Sequence, residues 1–108
     1  MRMPEIILTD GGFAIISGEA TDIVRFDEVS AIIAYKVDEL TTDLVCCDVV
    51  TDAGEGEQMR TIHEELPGFG AAMASFESLP GFDRTWGEAV ISPSFEANRT
   101  VIYRRGAA

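Results

Sequence analysis

At 108 residues the chain has room for one domain, residues 1–108, and not for two. Hydrophobic residues make up 46% of it, enough to fill a core, so the high-charge, low-hydrophobicity composition of a disordered chain is excluded. Nineteen acidic residues against eight basic ones give a formal net charge of −11, which repels nucleic acid and anionic membrane and steers in a basic protein partner.

Cys46 and Cys47 are the only cysteines. As strand neighbours they point to opposite faces, so they are poorly placed to bridge to each other, and nothing else can pair with them. That pattern fits the reducing cytoplasm better than a disulfide-stabilised secreted fold. The opening Met1 to Leu8 has an apolar stretch of only three residues before Asp10 and two glycines, which matches neither a signal peptide nor a membrane span.

Short strands come first. Ile6–Thr9 and Phe13–Ser17 are apolar runs joined through Asp10-Gly11-Gly12, a hairpin signal. A turn at Ser17-Gly18-Glu19 leads to a strand at Ile23–Phe26, interrupted by Asp27 and Glu28. The longest alternating run follows: Val29, Ala31, Ile33, Tyr35 and Val37 are expected on one face, and Ile32, Ala34 and Lys36 on the other. Both faces are apolar enough for a central or covered strand. Leu44–Thr51 is the next strand, Ala53–Glu57 an exposed acidic turn, and Gln58–Glu64 a returning strand. Together these predict an antiparallel meander.

The period then changes. After Pro67-Gly68, Phe69, Met73 and Phe76 recur at helical spacing, predicting an amphipathic helix of about three turns. Pro67 suits a helix's first turn, and Glu64 and Glu65 lie near the expected positive end of its dipole. Asp83 is placed to cap a second helical piece carrying Trp86 and Val90. Thr100–Arg104 reads as a final strand or extended tail.

Several stretches carry a resemblance: Ala34-Tyr35-Lys36, Thr42-Asp43-Leu44, Glu64-Glu65-Leu66-Pro67-Gly68-Phe69, Leu79-Pro80-Gly81-Phe82 with Trp86, and Pro93 to Thr100. This pattern resembles a family of small bacterial proteins of uncharacterised function with a pleckstrin-homology-like domain. The resemblance implies an α+β fold, a bent antiparallel sheet or partly open barrel closed by a C-terminal amphipathic helix. It also implies a binding module. A phosphoinositide site in such folds needs a basic loop cluster, whereas Lys36 is the sole lysine and the turn at Asp52–Glu57 is acidic, so lipid binding is not expected.

No motif announces catalysis. His63-Glu64-Glu65 is the one histidine–carboxylate cluster; a single histidine falls short of the ligands a zinc site needs. Nucleophile elbow, phosphate loop and EF-hand order are missing too, and Asp48, Asp52, Glu55 and Glu57 read as a solvated acidic run. No catalytic residue, metal or cofactor is therefore assigned. Tyr35, Lys36, His63, Glu64, Glu65 and Trp86 are the candidate partner- or ligand-binding residues. The expectation is a non-catalytic cytoplasmic interaction module, in an immunity-like version one that occupies a basic protein. The alternatives are a small-ligand binder or small enzyme using the sheet face near His63, and a self-associating domain.

Overall fold

A computed structural model describes residues 4–38, 43–86 and 99–106. Their elements run β1 (Glu5–Thr9), β2 (Gly12–Ser17), β3 (Ala20–Arg25), β4 (Val29–Asp38), β5 (Asp43–Asp52), β6 (Glu57–His63), α1 (Phe69–Phe76) and β7 (Thr100–Arg104). The strands form two antiparallel sheets, a three-stranded one in the order β1-β2-β3 and a four-stranded one in the order β6-β5-β4-β7. The fold class is α+β with open sheets, and the order of strands followed by helix is as expected from the sequence. A strand, β7, follows α1 and returns to pair with β4.

Turn chemistry sets the first sheet. Asp10-Gly11 alone forms the loop between β1 and β2, with Gly11 at φ 86°, while Gly12 belongs to β2 and pairs with Thr9. β3 begins at Ala20, earlier than its apolar content suggests, because a tight turn at Gly18-Glu19 lets Ser17 pair with Ala20. Phe26 is not in that strand; it opens a short 3-10 turn to Glu28.

β4 lies between β5 and β7, the central position its two apolar faces demand. The expected face of Val29 is corrected by a bulge. Val29 pairs with Thr51 and Ala31 with Val50, so Ser30 is the extra residue and the side-chain alternation slips by one. Val29 therefore joins Ile32 and Ala34 in the core, leaving Ala31, Ile33, Tyr35 and Val37 on the opposite face. A second irregularity lies where Ile32 faces Tyr103 and Ile33 faces Val101; Ile102 and Tyr103 are both buried there.

The two sheets share one core with α1. Phe76 is its hub, with ring centroids 5.8 Å from Phe13, 6.0 Å from Phe26 and 6.3 Å from Phe82. The edge-on and tilted arrangements suit the ring quadrupoles. Phe69, Ala72, Met73 and Phe76 are buried, so the predicted apolar stripe is the packed face. The α-helix is nevertheless shorter than expected: eight residues, about two turns. The chain then leaves in tight turns, where Leu79 N–H donates to the Phe76 carbonyl at 2.9 Å. Pro67 precedes the N-cap, Gly68, and is not in the first helical turn.

Gly68 joins helix to sheet. Its φ is 91°, and a Cβ there would lie 2.0 Å from the Ile6 carbonyl oxygen. Beside it, Ile6 N–H donates to the Pro67 carbonyl at 2.8 Å, so the turn before α1 occupies part of the β1 edge. The second helical piece expected around Trp86 and Val90 falls largely outside the described residues. Asp83 does accept the Thr85 N–H at 2.9 Å and its hydroxyl at 2.7 Å, the contacts of a capping aspartate. Among the described residues no helix is long and apolar enough to cross a membrane.

Candidate functional site

Asp48 occupies the middle of β5 in a run of apolar and β-branched residues, and it is only 1% exposed. Strand pairing brings its partners. Thr61 faces it directly on β6, and Tyr35 lies two residues along β4 from Ile33, the residue opposite Asp48, and so on the same face. Asp48 Oδ1 accepts the Tyr35 hydroxyl at 2.9 Å and the Thr61 hydroxyl at 2.7 Å, while Oδ2 accepts Arg99 Nη2 at 2.8 Å. The Arg99 guanidinium also lies over the Tyr35 ring, 4.4 Å from its centroid.

The electrostatics follow from this geometry. Burial opposes ionisation of Asp48, but the hydrogen bonds from Thr61, Arg99 and Tyr35 outweigh it and hold its carboxyl below the ordinary range. Burial, and then the bond to Asp48, pushes the Tyr35 phenol up. An ionised carboxylate holding three donors has little basicity to spare for proton transfer. The cluster instead fastens Arg99, just ahead of β7, to the centre of the four-stranded sheet. Sequence reasoning placed Asp48 in a solvated acidic run, which is corrected here. The available signal was a lone carboxylate inside a β-branched strand, where an ion survives only when paired.

The six sequence candidates do not converge on one site. Tyr35 belongs to the Asp48 cluster. Lys36, on the opposite face of β4, is 4% exposed. His63 ends β6 opposite Cys46, and its Nδ1 accepts the Glu65 N–H at 3.3 Å. Glu64 serves β5 and not the helix dipole, because its Oε1 accepts the Val45 N–H at 2.8 Å and its own N–H donates to the Val45 carbonyl. Glu65 is exposed, and Trp86 packs partly buried against the core. Among the described residues no three His, Cys, Asp or Glu side chains are grouped to hold a metal ion.

A different surface emerges on the outer side of the β1–β3 sheet. Register places Ile7, Ala14 and Ile23 in one row across it, between a Glu5–Ile16–Thr21 row and a Thr9–Gly12–Arg25 row. Ile7 is 44% exposed and Ile23 59%. Ile23 also borders two clefts. One, of about 600 Å³, is lined in addition by Asp10, Arg25, Phe26 and Asp27. The other includes Glu28, Glu55 and Arg60. Both arginines are already engaged: Arg25 with Asp27 at 3.1 Å, and Arg60 with Asp22 at 2.6 Å, Thr51 at 2.9 Å and Gln58 at 3.2 Å.

Compared with known protein families, curated proteins and solved structures, the chain has no significant match.

Proposed function

We propose that this chain is a non-catalytic protein-interaction module that docks a basic partner on the outer face of its β1–β3 sheet. The observation that carries this reading is the exposed pair Ile7 and Ile23, in one row on either side of the buried Ala14, with Glu5, Asp10 and Asp27 around it. Exposed aliphatic side chains supply the desolvation energy of an interface, and surrounding carboxylates supply attraction and orientation. The net charge of −11 extends that attraction beyond the contact. An immunity-like role, an acidic surface occupying a basic protein, is the specific form we favour.

Two further proposals accompany it. The division into three and four strands, with α1 against β1 and the core, supports kinship with pleckstrin-homology-like domains; β7 following α1 departs from a simple C-terminal closing helix. The two buried cysteines, neither in a disulfide, support residence in a reducing compartment such as the cytoplasm.

The test is capture of the partner from the cells that make this chain, followed by reconstitution with purified components. Affinity should fall steeply with salt, and Ile7→Asp and Ile23→Asp should each weaken it about tenfold or more. A partner whose affinity ignores both substitutions and salt overturns the proposal.

A further inference from the structure

The phase of the β2–β3 ladder decides what β3 offers to a neighbour. Phe26 N–H donates to the Gly11 carbonyl at 2.9 Å, and the register continues through Phe13–Val24, Ile15–Asp22 and Ser17–Ala20. Opposed residues in an antiparallel ladder alternate between exchanging both hydrogen bonds and exchanging none. Counting from Phe26, it is Val24, Asp22 and Ala20 that bond to β2. The N–H and C=O groups of Thr21, Ile23 and Arg25 therefore point away from it, along the outer edge of the sheet. No strand pairs with that edge among the described residues.

Proteins commonly blunt such an edge with proline, lysine, a bulge or an inward charge. The β3 sequence Ala-Thr-Asp-Ile-Val-Arg has no proline or lysine, and its six pairs with β2 run without a bulge. Its inward charge, Asp22, is matched by Arg60 at 2.6 Å. The opposite edge differs, because the Pro67 carbonyl already takes the Ile6 N–H on β1.

We infer that an extended, basic segment of the partner adds to β3 as a fourth strand of this sheet. This rests on the docking face proposed above and gives it a mode of binding. Alternate side chains of the added strand would prolong the Ile7–Ala14–Ile23 row, and backbone bonding would supply affinity without demanding a particular sequence. Charge selects the occupant. The clefts that meet at Ile23 carry Asp10 and Asp27 on one side and Glu28 and Glu55 on the other, and their two arginines are held by carboxylates. Lysine or arginine on the added strand meets those carboxylates, whereas a second copy of this chain brings another −11.

The probe is a capped eight-residue peptide of alternating lysine and valine, with a glutamate–valine peptide as control, titrated into the intact chain. Amide exchange should slow at Thr21, Ile23 and Arg25 with the lysine peptide at low salt, and binding should fall about tenfold or more at high salt. Ile23→Pro deletes an edge donor that β2 does not use, and should weaken binding roughly fivefold. Should that variant not fold, the exchange pattern of the unaltered chain decides. No binding, protection at Glu57, Met59, Thr61 and His63 on β6 instead, equal binding of both peptides, or a peptide-free dimer through β3 each overturn the inference. Loss of the natural partner in Ile7→Asp and Ile23→Asp without β3 protection would leave the docking face standing and remove only strand addition. The converse, β3 protection with a partner indifferent to Ile7→Asp, would remove the face and keep the strand.

Discussion

The Tyr35 hydroxyl donates to Asp48 Oδ1 across the β4–β5 pair at 2.9 Å, beneath the Arg99 guanidinium that binds the other carboxylate oxygen. One carboxylate thus joins three strands and the residue that leads into β7. A charge this buried is tolerable because each of its oxygens is occupied, so removing it should cost more than removing any one partner. Asp48→Ala should destabilise the fold by about 3–5 kcal/mol, because three hydrogen bonds to a charged acceptor are lost together and the Tyr35 and Thr61 hydroxyls lose their acceptor. Arg99→Ala and Tyr35→Phe should each cost about 1–2 kcal/mol, since two donors remain and Arg99 is half exposed. Urea denaturation of the three variants gives the order; an Asp48→Ala variant as stable as the parent would contradict this account.

The same pair predicts a stability profile with two limbs. Asp48 has a lowered folded-state pKa, so its contribution is complete above the ordinary carboxylate value of about 3.9 and is lost as pH falls through the lower folded value. Tyr35 has a raised one, so its contribution is complete below the ordinary phenol value of about 10 and is lost as pH rises through the folded value. Asp48→Asn should flatten the acid limb and Tyr35→Phe the alkaline limb. Thermal melts across pH, with phenolate absorbance followed in parallel, check both.

Gly68 should be intolerant of any side chain. Alanine there meets two separate penalties, a left-handed backbone at φ 91° and a Cβ placed 2.0 Å from the Ile6 carbonyl oxygen. Together they should cost about 2–4 kcal/mol. Gly54, at φ 94° with open space around its Cβ position, carries only the first penalty. Gly54→Ala should cost about 1–2 kcal/mol, and chemical denaturation of the two variants separates backbone strain from steric contact.

The thiols should be silent in the folded state. Cys46 and Cys47 are both buried, and burial first, with the neighbouring Asp48 and Cys46 adding to it, pushes the Cys47 thiol up. The thiolate is the reactive form, so a chromogenic disulfide reagent should label Cys47 at the rate of unfolding and not at the rate of the free thiol. Rapid labelling of both cysteines under native conditions would show that this strand opens locally.

Much of the fold was legible because it depends on local pattern. Alternation marked the strands, Asp10-Gly11-Gly12 marked the first hairpin, and Phe69, Met73 and Phe76 at helical spacing marked the buried stripe of α1. The errors have local causes as well. Val29 changed face because of a single extra residue at Ser30, which alternation cannot register. The helix stopped early because tight turns replaced its last turn.

The candidate sites were less legible. Apart from Tyr35, the residues singled out by type are not those that tertiary structure joins into the Asp48 cluster or the open face. An isoleucine in a strand looks the same from sequence whether it faces core or solvent. Ile23 is exposed because the register sets it with Ile7 on the face of the β1–β3 sheet opposite the buried Phe13 and Val24.

From sequence alone, this protein was determined to be a small acidic α+β domain able to fill a core, and its charge already favoured a basic partner over nucleic acid or anionic membrane. Asp48 was counted there as one more surface carboxylate. Tertiary structure decided otherwise, because the hydroxyls of Tyr35 and Thr61 and the guanidinium of Arg99 come from residues 13, 13 and 51 positions away in the chain. Composition sets how much charge a chain carries, but only the pairing of its strands decides which of those charges water loses.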